Sequence, residues 1–318
     1  MMGVKGLQSL RGSLRGRSPL NDFLPSPQVS RHPAVVRKYI QREEDMKKQI
    51  AAVLAICVLA VSAMAFAADH ELAKKSSINE ILARGELRVG FDAGYMPFEM
   101  TDKSGNYIGF DMDMGRELAK AMGVRFVPVN MAFNGVIPAL LTGKIDVIIS
   151  AMTITQERNL QIGFSDPYIV VGQSILLNRK HEGKITSWEQ LNSPEYHILS
   201  RQGTTGEEAC KSYLPKAKLT TFERESDGAF EVANDRGDAW VYDMPPNAVF
   251  YAKHGIGKVV HLDIPFTFEP LGIGIRQGDP DFMNFLNNFL RQLKADGRYE
   301  RMYDKWIKST DWFAKTQQ

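Results

Sequence analysis

Apolar positions recur along this chain in two alternating periods. Short β-branched runs, such as Leu87–Phe91, Arg125–Val129 and Ile145–Ile149, have the length and composition of strands buried between helices. Between them, apolar positions return every three or four residues, over Ser77 to Gly85, Asp111 to Ala121 and Val136 to Thr142, which predicts helices. Ser77 and Asp111 stand where caps belong, and Gly85 and Gly123 where helices stop. Pro128 cannot donate to a ladder, so its strand is expected at an edge or a bulge. The pattern then repeats. A helix is expected around Trp188, strands at Tyr196–Leu199, Leu219–Phe222, Ala239–Tyr242 and Lys258–Leu262, and helices at Asp227–Asn234, Pro246–Lys253, Pro280–Ala295 and Tyr299–Ile307. Alternating strands and helices predict an α/β fold with mostly parallel sheets flanked by helices. Two extended segments, near Tyr168–Gly172 and Thr267–Leu271, separate the second run from the first. The expected architecture is therefore two lobes joined by two hinge strands, with residues 69–170 plus 270–318 in lobe 1 and 171–269 in lobe 2.

Composition adds an exported character. The 318 residues are 44% hydrophobic and 24% charged, an ordinary globular balance that can support substantial cores. The net charge of +2 gives no reason to expect nucleic acid. Ten of the 39 basic and four of the 37 acidic residues fall in residues 1–68, which leaves 29 against 33 and a mildly acidic body from Asp69 onward. Residues 1–45 are rich in Arg, Ser and Pro and are expected to be a disordered extension upstream of a true start at Met46. Residues 46–68 combine Lys47–Lys48, an apolar run from Ile50 to Val61 and Ala65–Phe66–Ala67, the three parts of a cleavable signal peptide. A membrane anchor and a lipoprotein on Cys57 are the competing readings of that segment. A periplasmic protein is expected, with Cys57 leaving in the signal and Cys210 alone, a small buried helix residue.

The candidate chemistry lies at strand ends, where open α/β sheets bind their ligands. From Ile148 to Arg158 a strand is expected to run into a helix capped by Thr153 or Thr155, with capping-box spacing at Thr153–x–x–Gln156. Backbone donors, the helix dipole and the fork of Arg158 would suit a small carboxylate. Asp92 and Tyr95 follow the first strand and Phe133 the third. Arg201, Thr204, Thr205 and Asp243 follow strands of the second run. Each has a plain structural explanation, such as a turn aspartate or a core phenylalanine. Taken together they offer a carboxylate clamp, aromatic faces and an acid for an ammonium, the set a free α-amino acid requires.

From Ile78 to Trp306 the chain resembles the periplasmic solute-binding proteins of bacterial amino-acid importers, which include glutamine-binding and lysine/arginine/ornithine-binding proteins. The resemblance is carried by Gly90–Phe91–Asp92 with Tyr95–Met96–Pro97–Phe98, Gly109–Phe110–Asp111–Met112–Asp113, and Phe133 through Leu140. Ile154–Thr155–Gln156–Glu157–Arg158, Phe164–Ser165–Asp166–Pro167–Tyr168 and Asp296–Gly297–Arg298–Tyr299 through Trp306 complete it. It implies a two-lobe hinge fold of the type II periplasmic-binding-protein class, a monomer, and an ABC permease with its ATPase as partner. It implies no cofactor. By position, Arg158 would take the ligand α-carboxylate, supported by Thr153 and the Ser150–Ala151 backbone, and Asp243 the α-ammonium. Tyr95 and Phe133 would flank the side chain, Thr204 and Thr205 would add contacts, and Asp92 would reach its end. Arg201 facing Asp92 suits an amide first and a carboxylate next, so glutamine or glutamate is favoured and basic amino acids follow.

Two other classes compete. Cyclohexadienyl or arogenate dehydratases resemble these binding proteins and use a glutamate as general acid. Glu99 and Glu207, the nearest glutamates in sequence, are expected at the surface. A receptor sensor domain is the third, disfavoured because no kinase or second apolar span follows. The chain has no H-E-x-x-H, P-loop or G-x-S-x-G motif, and His181, His197, His254 and His261 lack metal-ligand spacing.

Overall fold

The structure is a computed structural model that describes residues 33–74 and 76–316. The chain divides into two compact units, 1–67 and 68–318. Described residues of the first belong to the helix α1 (Pro33–Lys74), exposed from Gln41 to Ala60. Residues 33–45, expected in a disordered extension, are helical. Proline fits the first helical position, and Lys, Glu, Gln and Arg are good helix formers. The rest of that extension lies outside the described residues. Among the described residues, no helix is long and apolar enough to cross a membrane.

The second unit opens with α2 (Ser77–Arg84), closed by Gly85 in the left-handed conformation. The first sheet takes β1 (Glu86–Phe91), then, past the two-stranded ribbon β2 (Met100–Thr101) and β3 (Tyr107–Ile108) and the helix α3 (Phe110–Ala121), β4 (Arg125–Asn130). After α4 (Phe133–Leu141) come β5 (Val147–Ile148), α5 (Gln156–Asn159) and β6 (Gly163–Phe164). Strand β7 (Ile169–Val171) leads out of this run. The second sheet is built from β8 (Gln173–Asn178), β9 (His197–Arg201), α6 (Thr205–Tyr213), β10 (Lys218–Phe222), α7 (Glu225–Ala233), β11 (Ala239–Asp243), α8 (Met244–Phe250) and β12 (Val259–Leu262). The chain returns through β13 (Glu269–Leu271) and β14 (Gly274–Ile275), then ends in α9 (Pro280–Ala295) and α10 (Arg298–Tyr303).

The two five-stranded sheets share one plan. The first runs β4-β1-β5-β14-β6 and the second β10-β9-β11-β8-β12. In each, four strands run in one direction and a single strand, β14 or β8, runs antiparallel between the third strand and the edge. β4, with Pro128, is an edge strand. β7 and β13 pair antiparallel, Ile169 opposite Leu271, outside both sheets. These are the two connecting strands. The apolar run from Ile169 to Leu177 breaks at Gly172 for a steric reason. A Cβ there would lie 2.5 Å from the Thr267 carbonyl oxygen and 2.7 Å from Pro265 Cβ.

Both sheets are covered on both faces, which explains their near-continuous apolar strands. Phe110, Leu118, Phe282, Leu286 and Leu290 pack against one face of the first sheet, and Val136, Leu140 and Ile162 against the other. In α9 the buried positions Phe282, Leu286, Phe289, Leu290 and Leu293 recur at helical spacing. Asp279 caps that helix by accepting from the Phe282 amide at 3.0 Å. In the second sheet Trp240 and Leu199 face Val232, and Ile198 and Val241 pack with Cys210, which is buried as expected.

Candidate functional site

The carboxyl ends of β1, β5, β9 and β11 meet at one narrow cavity of about 20 Å³. Its wall is formed by Tyr95, Phe133, Ser150, Ala151, Thr153, Arg158, Arg201, Thr204, Thr205 and Asp243, joined by Glu99 and Tyr242. Residues that follow the first sheet and residues that follow the second face each other across it.

The β5 end differs from the strand-into-helix junction expected from sequence. β5 stops at Ile148, and an irregular stretch precedes α5, which is only four residues long. Its cap is Thr155, whose hydroxyl accepts from the Arg158 amide at 3.1 Å. Thr153 caps nothing. It bridges to Leu271 of β13, and its hydroxyl lies 3.5 Å from that of Thr205. A four-residue helix has a weak dipole, so the capacity to hold an anion rests with the arginine and the strand-end amides. Arg158 donates to the Thr153 carbonyl at 2.9 Å and to the Gly203 carbonyl across the cleft at 3.5 Å. Burial lowers its pKa, opposed by Glu269 and Asp243. Its planar fork is thus partly desolvated and held from both sides of the cleft.

Opposite it, Asp243 ends β11 and is 5% exposed. It accepts from the Tyr95 hydroxyl of the other lobe and from Gln173 Nε2 at 2.7 Å. Burial pushes its carboxyl up to about 7, although the Tyr95 hydrogen bond pulls the other way. Gln173, fully buried at the start of β8, also reaches the Thr205 hydroxyl at 3.3 Å. It went unnoticed in the sequence, although a glutamine within an apolar strand run is a signal of a buried polar network. Thr204 turns its hydroxyl back to the Arg201 carbonyl at 2.7 Å.

Phe133 opens α4, and its ring lies 5.5 Å from both the Arg158 and the Arg201 guanidinium carbons. Tyr95 meets Tyr242 edge-on at 5.6 Å. Arg201 forms an ion pair with Asp92, donates to the Glu223 carbonyl at 3.1 Å and approaches the Tyr242 hydroxyl at 3.3 Å. Burial works against its charge, but Tyr242, Asp92 and Glu225 outweigh that and raise its pKa. Asp92 also accepts from the Phe133 amide at 3.0 Å. It is the one expected site residue that does not line the cavity. It opens onto the adjoining groove beside Asn130, Glu223 and Glu225.

Glu99 overturns its surface assignment. It is 0% exposed and lines the cavity, with Oε1 accepting from the Ser150 hydroxyl at 2.6 Å. Its neighbours Phe98 and Met100 are buried as well. Alternation along this stretch therefore gave no hint of its position. Glu207 is partly buried and holds the Gly203 amide at 2.7 Å.

Two α/β sheets meeting at a cleft with an arginine and an aspartate on opposite walls define a small-molecule binding protein of the two-lobe periplasmic type. The chain belongs to the bacterial extracellular solute-binding proteins, family 3, whose model matches residues 87–309. It is 32% identical over 242 residues to the glutamine-binding protein of an ABC transporter from Bacillus subtilis, covering 74% of this chain and 86% of that one. Among solved structures it is similar to an ABC-transporter binding component from Wolinella succinogenes complexed with lysine. That likeness has 49% identity and a TM-score of 0.71 over 73% of this chain and all of that one. It is also similar to an ancestral amino-acid-binding protein described as a precursor of cyclohexadienyl dehydratase, with 48% identity and a TM-score of 0.69 over the same shares.

Proposed function

We propose that this protein captures a free L-α-amino acid between its lobes and presents it to an ABC permease with its ATPase. The observation that supports this most is the placement of Arg158 and Asp243 on opposite walls of one desolvated cavity. Arg158, with the Ser150–Ala151 and Thr153 backbone, would take the α-carboxylate, and Asp243 the α-ammonium. Tyr95, Phe133, Thr204 and Thr205 would enclose the rest. Closure about β7 and β13 would be driven by the ligand's contacts with both walls. We further propose that residues 46–68 act as a cleaved export signal to the periplasm, that the protein works as a monomer, and that the lobes divide within the two connecting strands.

The ligand side chain would lie toward Arg201. Asp92 and Arg201 satisfy one another, so the facing pair from which glutamine was expected is already occupied. Carboxyls at or beside the cavity are Asp92, Glu99, Asp111, Glu225 and Asp243, against the guanidinium groups of Arg158 and Arg201. Burial holds Asp111, Glu225 and Asp243 near or above 7 and Glu99 well above the carboxylate range, so a further carboxylate would find no relief there; lysine or arginine would come ahead of glutamate, with glutamine as the neutral alternative. The lysine complex of the Wolinella protein agrees with this order. Isothermal titration with lysine, arginine, glutamine and glutamate tests it.

A buried Glu99 favours weighing a dehydratase as a second reading. Its Oε1 is engaged by the Ser150 hydroxyl, and its Oε2 is buried without a hydrogen-bond partner. Binding is the better-supported role, and incubation with prephenate or arogenate without aromatic product would agree with it.

A further inference from the structure

Beneath the cavity wall, two carboxyl groups are buried against each other. Glu99 and Asp111 are both 0% exposed. Each has one oxygen that accepts from a neighbour. Glu99 Oε1 takes the Ser150 hydroxyl at 2.6 Å. Asp111 Oδ2 takes the Ala151 amide at 2.6 Å and the Tyr168 hydroxyl at 2.9 Å. The other two oxygens, Glu99 Oε2 and Asp111 Oδ1, are buried and have no hydrogen-bond partner, while the two acids grip adjacent residues of one strand end. Ionised oxygens only accept, so two buried carboxylates without a donor are costly, and a proton between the groups would give both oxygens a partner. Asp111 was expected as a helix cap. Instead Gly109 occupies that place, and the aspartate points inward.

We propose that Glu99 and Asp111 share one proton, and that this proton positions the Ser150–Ala151 strand end on which the ligand carboxylate would rest. The pair grips that strand end at two consecutive residues. Ser150 Oγ also accepts from the Asp92 amide at 3.1 Å, so the ends of β1 and β5 are tied through the same acid. Ala151 sits at φ 43°, a left-handed conformation costly for a residue with a Cβ. Its amide bond to Asp111 is what holds it there. The groups acting on the pair are Asp92, Glu225, Tyr168 and Tyr299, all acids. None of them brings a positive charge to the pair, although the Tyr168 hydroxyl favours an ionised Asp111 through its hydrogen bond. Burial pushes Asp111 up to about 7 and Glu99 well above the carboxylate range, in agreement with a retained proton.

The native protein holds this proton when the unfolded chain has released it, so the contribution is complete below the ordinary carboxylate range and is lost as pH rises through about 7 and beyond. One proton corresponds to roughly 3–5 °C of melting temperature per pH unit in a chain of this size. Thermal unfolding of the full chain from pH 5 to 9 tests this without any ligand. The wild type should lose melting temperature steadily over that range. Glu99→Gln supplies a permanent amide donor to Asp111, and Asp111→Asn supplies one to Glu99, so both profiles should flatten. A variant profile parallel to wild type overturns the proposal.

If neither variant folds, glutamate carboxyl carbon NMR in a Glu225→Gln background decides. Glu225 is the other glutamate held high, at about 8. One glutamate remaining protonated past pH 7 supports the shared proton, and none remaining so overturns it. An affinity arm with L-lysine rests on the proposed amino-acid function: binding should weaken above pH 7 in wild type but not in Glu99→Gln. Should lysine not bind at all, the unfolding and NMR arms still judge the pair.

Discussion

Tyr95 from the first lobe donates its hydroxyl proton to Asp243 of the second, and both residues line the cavity. This bond ties the two walls at the position proposed for the ligand ammonium. Tyr95→Phe removes the donor and keeps the ring against Tyr242. A hydrogen bond to a charged group is worth about 1.5–3 kcal/mol. The variant should therefore bind its amino acid roughly tenfold to a hundredfold more weakly by calorimetry, with little loss of fold.

If Asp243 takes the ligand ammonium as proposed, amino-acid binding should depend on pH. Burial puts its carboxyl at about 7, and an ammonium beside it would favour the ionised form and lower that value. Binding would then release a proton below pH 7, so affinity should fall as pH drops from 7 to 5, by up to about tenfold per unit. Calorimetry in buffers of different ionisation enthalpy would read the proton directly. Asp243→Asn should bind weakly at every pH, with a flat profile.

The Asp92–Arg201 pair is mostly buried, with 16% and 9% of the side chains exposed. Removing one partner of such a pair leaves an uncompensated charge. Arg201→Ala should lower stability by about 1–3 kcal/mol in chemical denaturation, and it frees Asp92 for a cationic side chain. Lysine should gain affinity relative to glutamine. An unchanged lysine-to-glutamine ratio would remove Arg201 from side-chain selection.

Gly172 is where β7 gives way to β8. With Thr267 O and Pro265 Cβ closer than 3 Å to an added Cβ, Gly172→Ala should destabilise by roughly 1–3 kcal/mol through overpacking, seen as a lower melting temperature.

The fold was legible where local chemistry decides it. Pro128 marked an edge strand, the helical period of Phe282 to Leu293 marked α9, and the two extended segments marked the connecting pair. Arg158 and Asp243 could be placed because strand ends are where such sheets bind. What escaped notice depends on distant partners. Asp92 is drawn out of the cavity by Arg201, 109 residues away. Glu99 is held inside by Ser150, with nothing in its own neighbourhood to show it. The capping box at Thr153 failed because the backbone runs on past β5 to bridge with Leu271, a contact no local pattern contains.

Arg158 and Asp243 would together form a zwitterion clamp. Isothermal titration of the wild type and Arg158→Ala with lysine, arginine and glutamine tests it most directly. Removing a buried group that holds a carboxylate leaves that carboxylate unpaired, so the variant should lose several kcal/mol of binding, a loss of at least about a hundredfold. One-to-one binding by wild type with that loss in the variant is the expected result. An unchanged dissociation constant in Arg158→Ala, or no heat from wild type with any of the three, would contradict it.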